Sequence, residues 1–232
     1  MGKYLFIGGS TGIGEATARI LLSGGHEVIM VTRKTEDDVK IPGASIFQGD
    51  IIDAAAQLPI IEGHIDGLAY FPGSINLKPF RSLNRKDFEN DMEVNFYGAL
   101  RAIQFYLENL KQSQSPSIVL FSTVAAKVGM PFHASVAASK SAIEGLTISL
   151  AAEFAPKIRV NAIAPSLTNT PLATRLLNTE EKQKMAAERH PLKKVGEASD
   201  LGEMTAFLLT EKSKWMTGQI LHVDGGMSSL KV

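Results

Sequence analysis

Ile7-Gly8-Gly9-Ser10-Thr11-Gly12-Ile13-Gly14 is the stretch on which the fold turns. Before it, Tyr4 to Ile7 is a short apolar run that reads as a buried strand. After it, Ile13 to Ser23 carries Ala16, Ile20 and Leu21 at helical spacing and stops at Gly24-Gly25. A glycine turn between strand and helix lets backbone approach a pyrophosphate. It also presents the free N–H groups and positive dipole end of the helix to that anion. Gly8, Ser10, Thr11, Gly12, Ile13 and Gly14 are therefore the candidate phosphate-binding residues, and Gly14 would let helix and strand pack closely. The spacing differs from the usual G-x-G-x-x-G, so a purely structural turn is the competing reading. Its place between strand and helix favours a nucleotide site.

The alternation continues outward. Val28–Val31, Ala44–Gln48, Ile65–Phe71, Ser117–Phe121, Ile158–Ile163 and Gln219–Val223 read as further strands, seven in all. Asn84 to Lys111 and Ala134 to Phe154 read as long helices, the first bent near Asn95 and the second ending before Pro156. Ser199 is the predicted N-cap of a helix reaching Leu209. Apolar strands alternating with helices imply an α/β fold of the doubly wound, Rossmann type: one mostly parallel seven-stranded sheet with helices on both faces. Residues 1–232 show no internal repeat and no linker, so a single domain is expected. Leu167 to Pro191 is the one long excursion and the expected lid or substrate loop.

Composition narrows the function classes. Hydrophobic residues make up 44% and charged residues 21% of the 232, enough for a large core. Formal net charge is zero, so no long-range field draws nucleic acid or an anionic membrane. The absence of cysteine excludes disulfides, thiolate metal sites and cysteine nucleophiles, and no metal-ligand set is assigned. No apolar run approaches the roughly 20 residues of a membrane span. The first strand begins too early for a cleavable leader, and a cytoplasmic location is the expectation.

At the end of the second strand, where a dinucleotide fold places an acid for the ribose 2′-hydroxyl, stand Thr32-Arg33-Lys34. Arg33 can meet a 2′-phosphate, which favours NADP over NAD; a solvated basic turn is the alternative. Asp50, just past the third strand, could accept from an adenine amino group or simply cap a loop.

Gly8-x3-Gly12-x-Gly14 resembles the glycine motif of short-chain dehydrogenases/reductases. The resemblance continues through Asp50-Ile51, Asn95 within Val94-Asn95-Phe96-Tyr97-Gly98, Ser139-Lys140-Ser141-Ala142, Arg159 to Pro165, Thr217-Gly218-Gln219 and Val223 to Gly226. The C-terminal end is most similar to the 3-oxoacyl-carrier-protein reductase group. The resemblance implies adenine contacts at Asp50 and Ile51, nicotinamide contacts at Pro165 and Thr170, and a cofactor contact near Gly73. Lys140 is implied as the active-site Lys, bonding the nicotinamide ribose, and Asn95 as its partner in a water-borne proton relay. A surface charge and satisfaction of a helix bend are the plainer readings of these two. The small residues of the helix from Ala134 match the family's interface helix and imply a homodimer or homotetramer; packing on the chain's own sheet is the alternative.

The departures carry as much information. The family's catalytic Tyr, four residues before its Lys, is Val136 here. Its catalytic Ser falls on Thr123, preceded by Ser122. The usual Asn-Asn-Ala-Gly is Tyr70-Phe71-Pro72-Gly73, and the Gly after Pro165 is Ser166. Valine has no proton to give, so His133, Ser135, Tyr70 and Tyr97 are the candidate substitutes, with His133 the most suitable in intrinsic acidity. The leading expectation is an NADP-dependent oxidoreductase acting on a small carbonyl or alcohol and slowed by loss of the phenol. A nucleotide-binding sensor or subunit partner is the second reading, and a diverged reaction at the same site the third.

Overall fold

The computed structural model describes residues 1–53 and 57–231. In chain order the elements are β1 (Lys3–Ile7), α1 (Ile13–Ser23), β2 (Glu27–Thr32), β3 (Ala44–Gln48), β4 (Gly67–Tyr70), α2 (Arg85–Met92), α3 (Gly98–Lys111), β5 (Ser117–Phe121) and α4 (Ala134–Phe154). They continue with β6 (Arg159–Pro165), β7 (Thr168–Asn169), α5 (Thr174–Leu177), α6 (Glu180–Glu188), β8 (Gly196–Glu197), α7 (Ala198–Leu209) and β9 (Ile220–Val223). Seven strands form one sheet in the order β3-β2-β1-β4-β5-β6-β9, and every neighbouring pair is parallel. The short strands β7 and β8 pair separately.

Strand periodicity decides which residue goes to which face. In β1, Leu5 and Ile7 enter one core with Ala102, Ile103 and Tyr106 of α3 and Ile143 of α4. Tyr4 and Phe6 enter the other, with Ala18 and Leu21 of α1 and Leu201 and Leu208 of α7. In β5, Ile118 and Leu120 go to the first core and Val119 and Phe121 to the second. Alternate residues of one strand thus point to opposite sides, and both sides are covered because parallel strands are joined by helical crossovers. β1 has β2 on one side and β4 on the other, so the strand order reverses there. The crevice at the carboxyl ends of these strands is where open α/β sheets bind ligands.

Several strand boundaries move by a residue or two, and three differences from expectation have a clear cause. The helical stretch from Asn84 is two helices separated by a π-type turn, Glu93–Tyr97, centred on Asn95. This gives a cause for the expected bend, since a wide turn inserts one extra residue into the ladder. The fourth strand is Gly67–Tyr70; the Ile65 N–H bonds Asn109 O and stays outside the ladder. Ser199 is not the N-cap of α7. Pairing of β7 with β8 brings the chain into the helix at Glu197, and the Asp200 carboxylate accepts the Glu197 N–H at 2.9 Å. No helix among the described residues is long and apolar enough to cross a membrane.

Candidate active site

β1 runs out at Ile7 into the glycine turn, which the Gly8 N–H ties to Val31 O of β2 at 2.7 Å. Gly12 caps α1 with φ 63° and no side-chain acceptor, so among the described residues no side chain occupies the first-turn N–H groups. A Cβ on Gly14 would stand 2.2 Å from Gly9 Cα and 2.5 Å from Gly9 O. Only hydrogen fits between helix and turn there. This is a cradle of bare N–H groups shaped for an anion, and it fits a dinucleotide pyrophosphate.

Gly8, Ser10, Thr11, Gly12, Ile13 and Gly14 line one cleft of about 830 Å³. Arg33, Lys34, Asp50, Ile51 and Gly73 line the same cleft from the ends of β2, β3 and β4. Arg33 and Lys34 are exposed, and among the described residues neither makes an ion pair. Asp50 Oδ1 accepts the Ile52 N–H at 3.0 Å, so the loop-capping reading of this residue holds. Phe71 meets the rings of Phe6 and Phe121, centroids 4.9 and 5.3 Å away. An apolar clasp thus joins the ends of β1, β4 and β5.

Further along the cleft lie Ser122, Thr123, Val136, Lys140, Pro165 and Thr170. Lys140 is buried, and its Nζ donates to Phe121 O at 2.9 Å. It is no solvated surface charge. Burial lowers its pKa to about 8, with Asp91 opposing. Val136, one helical turn earlier, is 6% exposed and presents a methyl surface to the cleft. The Ser122 hydroxyl donates to Glu144 Oε1 at 2.6 Å and is spoken for. Thr123 Oγ1 accepts the Ala125 N–H at 3.3 Å, which leaves its own hydrogen for a substrate oxygen.

Asn95 does not line the cleft. It is fully buried behind it; Nδ2 donates to Ser74 Oγ (2.8 Å) and Ser139 Oγ (3.0 Å), and Oδ1 accepts the Ser74 N–H (3.3 Å). Its amide holds Ser74, a cleft residue, and ties α4 to the π-type turn.

The candidate proton donors separate clearly. Tyr70 is buried with its hydroxyl on Val94 O at 2.6 Å, and burial drives its pKa far above the usual range. Tyr97 is 48% exposed on the surface, and Ser135 is buried outside the cleft lining. Of the four, His133 alone lines the cleft, with Nδ1 2.7 Å from Pro131 O.

Residues 167–191 fold as β7, α5 and α6, and Leu167, Leu172, Met185 and Arg189 among them line the cleft. This segment supplies one half of a pair that sequence reasoning missed: Ser166 Oγ, just before it, lies 2.8 Å from Nε2 of His190, and both line the cleft. Ser166 stands out in the sequence as a departure from the family pattern. Nothing in the spacing ties it to a histidine 24 residues away. Among the described residues no group of His, Asp or Glu side chains is gathered as for a metal ion.

Comparison with known proteins agrees with this fold. Residues 8–228 match the sequence family described as Enoyl-(Acyl carrier protein) reductase. The chain is 32% identical to Glucose 1-dehydrogenase of Gluconobacter oxydans over 246 aligned positions, 97% of this chain and 91% of that protein. It is 30% identical to the 3-oxoacyl-[acyl-carrier-protein] reductase FabG of Staphylococcus aureus, with 96% of each chain covered. The solved structure of ElxO with NADP bound superposes with TM-score 0.87 at 26% identity, covering 99% of this chain and 100% of that one.

Proposed function

Because this chain belongs to the short-chain dehydrogenase/reductase family, a family of oxidoreductases, we propose that it is an NADP-dependent enzyme interconverting a carbonyl and an alcohol on a small molecule. The observation that carries the reading is one cleft lined by the glycine turn, Arg33, Lys140 and Thr123 together. Gly8 to Gly14 hold the pyrophosphate on backbone N–H groups. Arg33, with Lys34 beside it, takes the 2′-phosphate by charge-assisted hydrogen bonds. Asp50 and Ile51 border the adenine, and Gly73, Pro165 and Thr170 the nicotinamide end. When bound, the dinucleotide supplies the hydride.

Lys140 bonds the ribose hydroxyls, and Asn95 positions Ser74 beside it. Thr123 orients the substrate oxygen, with Ser122 held back by Glu144. Residues 167–191 close over the substrate as a lid within a single domain. Val136 stands in the place of the phenol, which slows proton delivery without disturbing the cofactor. Along α4, Ala138, Ser141, Gly145 and Ile148 are exposed in one line, which supports a homodimer or homotetramer through this helix. A cytoplasmic location goes with this reading.

Steady-state NADPH oxidation with a panel of small and carrier-linked ketones tests it. Turnover with at least one, preferring NADPH over NADH, is the expected result. Tight NADPH binding with no turnover across the panel would instead favour a nucleotide-binding sensor.

A further inference from the structure

We propose that Ser166 and His190 form a hydroxyl–imidazole relay that carries the proton to and from the substrate oxygen. The inference rests on the oxidoreductase reading above and fills the task Val136 leaves open.

The hydrogen bonds fix the ring. His190 is 3% exposed, with Nδ1 2.8 Å from Ala186 O and Nε2 2.8 Å from Ser166 Oγ. A carbonyl only accepts, so Nδ1 carries hydrogen in both protonation states and the neutral ring offers its lone pair at Nε2. In that state the Ser166 hydroxyl donates to His190, and its oxygen is free to accept a hydrogen from an alcohol. With His190 protonated, Nε2 donates to Oγ and the hydroxyl hydrogen turns outward. Met227 Sδ, 3.0 Å from Oγ, is a weak acceptor for that outward hydrogen, and a substrate oxygen displaces it.

No other group among the described residues lining the cleft offers this. His133 touches a carbonyl through Nδ1 and has no hydroxyl partner among the described residues. Ser166 directly follows Pro165, where the family pattern has glycine. The hydroxyl thus stands at a position where that pattern has no side chain, at the proposed nicotinamide end.

The step balances. In reduction the carbonyl carbon gains the hydride and its two electrons, and the dinucleotide is left oxidised. The carbonyl oxygen, becoming an alkoxide, forms an O–H bond with the Ser166 hydrogen. Ser166 Oγ takes the Nε2 hydrogen of His190, which ends neutral. When the alcohol leaves, solvent in the cleft returns a proton through Ser166. Alcohol oxidation runs the same steps backward.

Ser166→Ala and His190→Gln test the relay. Each is expected to lower kcat by about 10²-fold, the lower range for general acid catalysis. KM and the NADPH dissociation constant should move by no more than about twofold, and the double variant should be no slower than either single one, since the two act as a unit. Ser166→Thr keeps the hydroxyl and most of the rate. Ring-nitrogen NMR of the protein without cofactor supplies a readout independent of turnover: His190 should be the Nδ1–H tautomer, and Ser166→Ala should shift its Nε2 resonance.

Undiminished kcat in both variants, a loss confined to KM, or an Nε2–H tautomer would each overturn the relay and leave the oxidoreductase reading standing. If the unmutated protein binds NADPH and turns over no ketone, both fall together. Should His190→Gln lose NADPH binding through misfolding, Ser166→Ala decides for or against the relay while the buried ring itself stays in the chain.

Discussion

From Gly8 to Gly14 the cleft is shaped by backbone: bare N–H groups, a left-handed Gly12 and a Gly14 packed onto Gly9. From Val136 to His190 it is shaped by side chains drawn from three distant segments, with Lys140 buried and Ser166 locked to His190. The first end, on the proposed reading, recognises something common to every dinucleotide, and at Gly14 it leaves no room for a side chain. The second, on the reading proposed above, places a proton and a substrate, and it holds Val136 and Ser166, two positions at which the sequence differs from the pattern it otherwise resembles. Recognition by backbone ties a site to local spacing, whereas recognition by side chains frees it to change one residue at a time.

The largest effect should come from breaking the backbone end. Gly14→Ala puts a methyl 2.2 Å from Gly9 Cα, and backbone cannot step aside as a side chain can. Calorimetry should show NADPH binding weakened by at least about 10²-fold, with a stability cost in the upper part of the ~1–3 kcal/mol overpacking range. A Gly14→Ala protein that binds NADPH normally would mean the turn is only structural.

A smaller change sharpens the contrast within the cofactor end. Arg33 is exposed and makes no ion pair among the described residues, so a bound 2′-phosphate would be its partner. Hydrogen bonds to charged groups contribute about 1.5–3 kcal/mol, so Arg33→Ala should lower NADPH affinity by roughly ten- to a hundredfold. NADH affinity should stay put. Equal affinity for the two cofactors in the unmutated protein would contradict the NADP preference.

The smallest effect concerns the other end. Burial depresses the Lys140 pKa from 10.5 to about 8. Between those values the unfolded chain holds a proton that the folded chain has released, so this group makes stability rise with pH. Above about pH 10 buried tyrosines oppose it, because Tyr4 is pushed up to about 12 and its folded form keeps a proton the unfolded form gives up. Melting temperatures of the cofactor-free protein should therefore carry an upward contribution from about pH 8 to about pH 10 that Lys140→Met removes. Identical pH profiles in the two proteins would place Lys140 in a more polar setting than its burial implies.

The same division explains what is legible in the sequence. The seven strands, their crossovers and the glycine turn announce themselves through short apolar runs, helical spacing and Gly-Gly stops, all local signals. Phe71 reads there only as a missing asparagine; its role in clasping three strand ends depends on Phe6 and Phe121 lying beside it in the sheet. Asn95 reads as a site residue near a bend. That it stands behind the cleft follows from the π-type turn, which turns its amide toward Ser74 and Ser139. Ser199 resembles a cap because Ser caps helices in isolation; the β7–β8 pairing moves the start to Glu197. The Ser166–His190 pair is invisible in the sequence because only the folding of residues 167–191 brings its two halves together.

The central claim is that the cofactor end is intact and independent of proton delivery at the other. It is tested most directly by kcat and NADPH affinity for Val136→Tyr and Val136→Phe, each built in the Ser166→Ala chain. Tyr restores a phenol one helical turn from Lys140, whereas Phe adds the ring without the acid. The expected result is that Tyr raises kcat on one ketone by about 10²-fold while Phe does not, with NADPH affinity unchanged in both. Equal rates for the Tyr and Phe proteins would contradict the claim.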